Sequence, residues 1–214
     1  MKLLTFTSAA SIVGASILAT LSSQALAIPV VGGFTTVTLV SAPTLTGAGV
    51  TVGLLGTATA APSVGGVPVV RFPITGGDLS ASFAGTIAHN GSGLRLSTTA
   101  GAISLTNFLI DTVSLNLSGT VAFGTTTLSN VPLFSLAPNG STSSPFNLTL
   151  SATAAGALST VLGVPNLTGA LIATAATAPI TAVAAIPEPS TYALMLGGLG
   201  LAGWVARRRK TAAA

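Results

Sequence analysis

Apolar and polar residues alternate one by one along several short stretches in the middle of the chain. Successive side chains of a β-strand point to opposite faces, so a period of two indicates strands with one buried face. The alternation predicts strands over four segments, namely residues 79–88, 103–110, 113–123 and 146–151. Weaker signals of the same kind lie at residues 37–40, 50–54 and 67–72.

Two irregularities in this pattern predict local geometry. The Asn-Gly dipeptide at residues 90–91 accepts the positive φ angles of a tight turn, which predicts a hairpin from strand 79–88 into residues 94–96. The apolar phase shifts between Leu105 and Phe108, and such a shift predicts a β-bulge.

Glycine, proline and asparagine recur at short intervals between the predicted strands. Many short strands with this punctuation are typical of an all-β fold, so we expect an antiparallel β-sandwich or a barrel-like body. Residues 152–162 are rich in alanine and predict one short helix. The β-rich extracytoplasmic domain is placed at residues 28–176, and a loose linker at residues 177–185.

The N-terminal segment 1–27 has the features of a secretory signal peptide. Lys2 opens a short basic region, and a moderately apolar core follows. Ala25 and Ala27 form a small-x-small cleavage site, so the mature chain is expected to begin at Ile28. The alternative is an uncleaved N-terminal helix, because serine and threonine dilute the apolar core.

The charged residues are concentrated at the two ends of the chain. The formal net charge of the whole chain is +4, but residues 28–186 hold only Arg71, Arg95, Asp78 and Asp111, which sum to zero. Because a basic patch is missing from the body, we expect no nucleic-acid partner. Charged residues on an edge strand hinder its pairing with the edge of another chain. Because the body has so few charges, we also expect it to self-associate.

The body contains few side chains suited to catalysis or to metal binding. His89 is the only histidine of the chain, Asp78 and Asp111 are the only acids between residues 28 and 186, and cysteine is absent. A metal site normally needs three or four ligands. The residue types of a Ser-His-Asp triad are present, but the sequence contains no nucleophile-elbow motif. We therefore expect a protein that is not an enzyme, with no catalytic residue, no cofactor and no metal.

The C-terminal segment combines a rigid turn, an apolar stretch and a basic cluster. The prolines on either side of Glu188 are excluded from helix interiors and hold this residue in an extended conformation. Residues 190–206 carry no charge and reach the lower end of the length of a membrane span, ~17 residues, so we expect a single transmembrane helix there. The positive charges that follow predict a cytoplasmic C-terminus; they are Arg207, Arg208, Arg209 and Lys210.

Together these residues resemble the PEP-CTERM sorting domain of Gram-negative, exopolysaccharide-producing bacteria. The resemblance covers about residues 186–210 and rests on Pro187, Glu188 and Pro189, followed by Ser-Thr, Tyr192, a Gly/Leu-rich stretch and the basic cluster. It implies that exosortase, a membrane enzyme similar to cysteine transpeptidases, recognises the motif, cuts near it and passes the protein to the cell surface. Residues 186–214 are therefore expected to be a sorting tail.

A second and looser resemblance lies in the body. Residues 85–96, 103–111 and 117–121 look like the HtaA-type β-domain of bacterial surface proteins. Some HtaA domains bind haem through a tyrosine ligand and a nearby histidine. The only tyrosine of this chain is Tyr192, in the tail, so haem binding is not carried over.

These patterns predict a non-enzymatic exported protein with a structural or adhesive role in a biofilm or exopolysaccharide layer. We expect its body in the periplasm, held at the inner membrane until it is sorted to the cell surface or extracellular matrix. The expected partners are exosortase, inner-membrane lipid and exopolysaccharide. The alternative is a cell-surface ligand- or carbohydrate-binding module, which needs a pocket or an exposed aromatic platform. A secreted hydrolase is the third hypothesis, and it needs His89, Asp78 and a serine within hydrogen-bond reach.

Overall fold

The computed structural model describes residues 27–182 and 194–202. Several predictions therefore lie outside the described residues: the signal peptide up to Ala25, and the sorting and basic residues Pro187, Glu188, Pro189, Arg207, Arg208, Arg209 and Lys210. The body is almost entirely β-structure. Its elements in chain order are β1 (Ile28–Thr38), α1 (Ala42–Gly47), β2 (Thr51–Gly56), β3 (Thr59–Val64), β4 (Val67–Pro73), β5 (Gly76–Leu79), β6 (Gly85–Ser97), β7 (Ala102–Asp111), β8 (Asn116–Phe123), β9 (Thr126–Pro138), β10 (Phe146–Leu150), α2 (Ala152–Leu162) and β11 (Leu171–Thr181).

The sheet is antiparallel and closes on itself. Hydrogen-bonded neighbours follow the order β1, β11, β10, β9, β8, β7, β6, β5 and again β1. The closing strand is β1, which pairs with β11 from Val30 to Thr38 along one edge and with β5 at Ile28 and Pro29 along the other. The predicted all-β antiparallel body is confirmed, and the closure corresponds to the barrel-like form.

The wall between β1 and β6 differs at its two ends. At one end β5 bridges the two strands, with Leu79 opposite both Ile28 and Gly85. At the other end β4 pairs with β1 and β2 pairs with β6. Strand β3 pairs with β4, and no pairing joins β3 to β2 in the described part of the chain. The ladder of hydrogen bonds is therefore interrupted between β2 and β3.

Helix α2 covers the end of the closed sheet where β6 turns into β7. The helix begins after Ser151, whose Oγ accepts a hydrogen bond from the Ala154 amide at 3.1 Å, and ends at Gly163 in the left-handed conformation. The hydroxyl of Thr98, in the β6–β7 turn, donates to the Leu162 carbonyl at 2.9 Å. The structure confirms the helix predicted over residues 152–162.

The hairpin predicted at residues 90–91 is wrong, because β6 runs straight through this segment. The pairing of β6 with β7 shifts register between His89 and Gly93, so the Asn-Gly dipeptide lies in a bulge. The chain reverses instead at residues 80–84, where Phe83 has a φ angle of +60° and interrupts the strand predicted over 79–88. A bulge uses positive φ angles just as a turn does, so the dipeptide alone does not distinguish the two.

The bulge predicted between Leu105 and Phe108 is confirmed. Asn107 has a φ angle of +52°, and the pairing of β7 with β8 shifts between Thr106 and Leu109. The side chain of Asn107 accepts a hydrogen bond from the Gly91 amide at 2.9 Å. The bulges of β6 and β7 are thus adjacent and joined.

Two predicted boundaries need correction. The strand predicted from residue 113 starts only at Asn116, because residues 112–115 form a turn around the Asp111 carboxylate. The linker predicted from residue 177 is part of the sheet up to Thr181, since β11 continues its pairing with β1 that far. This segment reads Thr-Ala-Pro-Ile-Thr, and its proline and small residues resemble a linker, but the pairing with β1 makes it a strand.

The predicted transmembrane helix over about residues 190–206 is not supported. Residues 194–202 form a helix whose side chains are exposed. Among the described residues, no helix has both the length and the apolar character that crossing a membrane requires. The flanking residues 190–193 and 203–206 lie outside the described part.

Candidate functional site

The interior of the closed sheet contains a cavity of about 80 Å³. A single water needs ~10–15 Å³ by this measure, so the space is large enough for several waters or one small organic molecule. Its walls are almost wholly aliphatic and aromatic, and they come from strands on all sides and from both helices. The lining includes Leu45, Phe72, Leu105, Phe108, Leu148 and Leu158, with Thr35 and His89 as the polar members.

His89 is buried in the interior, with 1% of its surface exposed. Its Nε2 lies 2.8 Å from the hydroxyl oxygen of Thr35, and that hydroxyl donates to Thr177 Oγ1 at 2.9 Å. Thr35 and Thr177 face each other on the paired strands β1 and β11, whereas His89 belongs to β6. The imidazole therefore connects β6 with β1, and these two strands do not pair with each other in the described residues.

The environment of His89 keeps its imidazole neutral. Burial lowers the pKa of His89 to about 4, and the nearby Phe108 backbone only partly offsets this effect. Although the Phe108 backbone is near, Nδ1 has no partner with hydrogen-bond geometry in the described residues. Nδ1 is therefore a buried polar atom whose hydrogen-bonding capacity is unused.

The structure does not gather the three residues that the sequence offered for catalysis or metal binding. Asp78 is exposed on β5, whereas His89 is buried. The carboxylate of Asp111 accepts hydrogen bonds from the amides of Val113 and Ser114, and hydrogen bonding by Ser114 and Val113 lowers its pKa. Within residues 27–182 and 194–202, no group of three or more potential ligands is close enough to hold a metal ion.

A buried serine lies beside His89 but does not face its ring. The hydroxyl of Ser92 donates to the backbone carbonyl of His89 at 3.2 Å and stabilises the β6 bulge. The His89 side chain bonds instead to Thr35. The Asp78, His89 and serine arrangement that a hydrolase needs is therefore not assembled in the described part of the chain.

Sequence reasoning identified His89 as the one histidine but missed the residues around it. Thr35 and Thr177 are 142 positions apart in the chain, and neither belongs to a motif. The sequence feature that could have pointed to them is threonine among small or apolar neighbours in β1 and β11. This feature is common in strands, so it does not single these two residues out.

The family model described as the PEP-CTERM protein-sorting motif matches residues 185–210. This is a PEP-CTERM tail. It contains the predicted sorting residues Pro187, Glu188 and Pro189 together with the basic cluster, and its bounds agree with the predicted 186–210 to within one residue at the start. The resemblance of the tail is thus confirmed, and the tail marks an exported protein whose sorting depends on exosortase, a membrane protein.

No curated protein and no solved structure matches the chain. The resemblance of residues 85–121 to the HtaA-type β-domain is unconfirmed and stays a prediction. The PEP-CTERM tail therefore indicates how the protein is sorted. The interior cavity is the candidate functional site of the body.

Proposed function

We propose that the chain is a non-enzymatic structural or adhesive protein of the bacterial cell surface or exopolysaccharide matrix, delivered by its PEP-CTERM tail. The observation that carries this proposal is the PEP-CTERM match at residues 185–210 on a body with almost no charge. A surface of serine, threonine, asparagine and small apolar residues suits lasting contact with neutral polymers and with other copies.

The position of the two chain ends supports display of the body from the tail. Val30 near the start of β1 pairs with Thr181 at the end of β11, and the Ala182 amide donates to the Pro29 carbonyl at 2.8 Å. Both ends therefore leave the closed sheet on the same side. Only residues 183–184 separate the described body from the matched tail, so processing at the membrane takes place close to this side of the body.

The interrupted wall supports self-association. Strands β2 and β3 each have one unpaired edge among the described residues, and neither strand contains a charged residue. Leu54 on β2 is 39% exposed. An uncharged exposed edge can pair with the edge of another chain, which is a simple way to build an adhesive or matrix-forming assembly.

Deletion of residues 187–189 tests the sorting part of the proposal. We expect the deleted chain to remain uncut with the membrane fraction and to be lost from the cell surface, as measured by intact mass and by surface labelling. A matched control deletes the three alanines at residues 212–214, which follow the matched segment. An unchanged mass and surface level in the 187–189 deletion would contradict exosortase-dependent sorting.

The structural role is tested by a charge on the free edge. Leu54→Lys should reduce the cohesion of the biofilm and the amount of crosslinked multimer at the cell surface, because lysine protects an edge against pairing. Ser135→Lys adds the same charge at an exposed position of β9 that is paired with both β8 and β10, and it serves as the control. Normal cohesion in cells that lack the protein altogether would overturn the proposed role.

A further inference from the structure

Two neighbouring turns at one end of the closed sheet present exposed apolar side chains. Phe83 lies in the turn at residues 80–84, between β5 and β6, and 64% of its surface is exposed. Val113 lies in the turn at residues 112–115, between β7 and β8, and is 70% exposed. The Thr112 hydroxyl donates to the Phe83 carbonyl at 2.8 Å and so joins the two turns. We call residues 80–84 and 112–115 the apolar tip.

The backbone of the apolar tip does not explain why bulky apolar residues occupy it. Phe83 has a φ angle of +60° and Leu115 one of +53°, a region that glycine and asparagine adopt readily and bulky residues rarely. The Phe83 amide closes its turn by donating to the Ser80 carbonyl at 2.9 Å, a bond that any residue except proline can make. Strained positions of this kind cluster at functional sites, so the exposed ring of Phe83 calls for a partner outside the body.

The apolar tip lies at the end of the sheet from which the sorting tail departs. Leu79, directly before the tip, pairs with Ile28 at the start of β1. The Ala182 amide donates to the carbonyl of the next residue of β1, Pro29. Neighbouring strands are ~4.8 Å apart, so the end of the body lies on the order of 10 Å from β5. Only residues 183–184 separate Ala182 from the matched motif, and exosortase is a membrane protein, so sorting brings this end to a bilayer surface.

We infer that the apolar tip inserts into the surface of the lipid bilayer at which the tail is processed, with Phe83 and Val113 at the boundary between headgroups and acyl chains. Apolar side chains that enter this boundary, about 5–10 Å deep, leave water and gain free energy. The contact orients the body with its tail end toward the membrane. This inference relies on the sorting tail and does not depend on the structural or adhesive role proposed above.

The charges near the apolar tip indicate that its contact with lipid is apolar rather than electrostatic. Asp78 on β5 and Asp111 at the end of β7 lie next to the tip, whereas Arg71 on β4 and Arg95 in the second half of β6 lie farther from this end. Anionic headgroups repel carboxylates, so the tip should prefer lipids without net charge. Phosphatidylcholine is therefore the lipid for the test, and it also offers the least attraction to the basic cluster of the tail.

The experiment places one polarity-sensitive dye on the full chain lacking only its signal peptide. The chain has no cysteine, so Ala81→Cys creates a single labelling site in the apolar tip, and Thr125→Cys creates one in the β8–β9 turn at the opposite end. On phosphatidylcholine vesicles, the dye at residue 81 should shift its emission to shorter wavelength and be quenched by nitroxide-labelled lipid, whereas the dye at residue 125 should show neither effect. Absence of quenching at residue 81, or equal quenching at both positions, would overturn the inference.

A double variant separates the apolar tip from the tail. Phe83→Asn with Val113→Ser removes the two apolar side chains, and asparagine suits the positive φ angle of residue 83, so the body should keep its fold and stability. Most of the lipid quenching at residue 81 should be lost, although the tail is unchanged. The matched control is Val64→Ser with Leu128→Asn, at two exposed apolar positions near the opposite end, and it should retain the quenching. Full quenching in the folded tip variant would show that the tail alone brings the dye to lipid, contrary to the inference.

A titration without lipid distinguishes the bilayer from a second copy of the chain. The emission of the dye at residue 81 should stay constant as the protein concentration rises in the absence of vesicles. A shift to shorter wavelength that grows with concentration and disappears with Phe83→Asn and Val113→Ser would assign the apolar tip to an interface between copies. That result would overturn insertion into the bilayer.

Discussion

The PEP-CTERM tail at residues 185–210 and the closed sheet at residues 28–181 carry their information in different ways. The tail consists of a short motif, an apolar stretch and a basic cluster in a fixed order, and another protein reads that order along the chain. In the sheet, Thr35, His89 and Thr177 acquire their roles only when β1, β6 and β11 surround one interior. The comparison indicates that changes in the tail alter the destination of the protein, whereas changes in the sheet alter its stability and its binding.

The largest expected effect on the sheet follows from a truncation in its core. Leu133 on β9 has 1% of its surface exposed and packs in the core beside α2. Leu133→Ala should lower the free energy of unfolding by about 2–5 kcal/mol, because burial is lost and a cavity remains. Urea unfolding followed by circular dichroism measures the loss. Leu128→Ala, on the same strand at a position that is 48% exposed, should change stability little, and an equal loss in both variants would contradict the burial argument.

Acidification should weaken the sheet through His89. Its pKa is about 4 in the folded protein against 6.5 for the free side chain. Between these two pH values the unfolded state binds a proton that the folded state does not bind. Stability is fully present above pH 6.5 and should fall by about 3 kcal/mol as the pH drops to 4, at ~1.36 kcal/mol for each pKa unit.

The matched variant for this pH dependence is His89→Phe, which should flatten the unfolding free energy between pH 6.5 and 4. Asp111 does not interfere in this window, because its pKa is lowered from 3.8 and its contribution is lost only at still lower pH. A pH profile that is the same in the variant and in the unaltered protein would show that His89 titrates freely.

A smaller effect is expected at the start of α2. The hydroxyl of Ser151 accepts from the Ala154 amide and donates to the Pro132 carbonyl at 2.6 Å. Ser151→Ala should cost about 1 kcal/mol, as loss of a helix N-cap usually does. Thr153→Ala, at an exposed position inside the helix, is the control and should be nearly neutral. Comparison of the thermal unfolding of the two variants distinguishes the loss of the N-cap hydrogen bond from a general effect of substitution by alanine.

The smallest effect on stability is expected in the tail. Glu188→Ala lies in the sorting motif, which follows the end of β11 at Thr181 in the sequence, so the unfolding free energy of the sheet should stay within about 0.5 kcal/mol of the original. Surface display measured in the same cells should nevertheless fall. A loss of stability with normal display would reverse the division of roles between tail and sheet.

The sequence predicted those parts of the fold that depend on neighbouring residues. The helix at residues 152–162, the strand at 146–150 and the bulge next to Phe108 follow from local periodicity and were found as expected. The Asn-Gly dipeptide at residues 90–91 was misread, because positive φ angles serve a bulge and a turn equally. The end of β11 was missed, since its pairing with β1 joins residues from the two ends of the body.

The candidate site was less accessible to sequence reasoning than the fold. His89 could be singled out as the only histidine, but its position before a dipeptide that favours turns suggested an ordinary polar residue. Its contact with Thr35 spans 54 positions, and the next contact, from Thr35 to Thr177, spans 142. No periodicity predicts which residues meet across such distances, because closure of the sheet brings them together.

The sequence by itself determined the PEP-CTERM tail, the concentration of charge at the chain ends and the all-β character of the body, since each is a property of residue order or local alternation. The tertiary structure alone decided that the sheet closes, that an apolar cavity of about 80 Å³ lies inside it, and that His89 is buried at this cavity, with Nδ1 unpaired among the described residues. The physical reason is that burial, pKa and hydrogen-bond partners depend on the atoms surrounding a side chain, and these come from strands far apart in the chain.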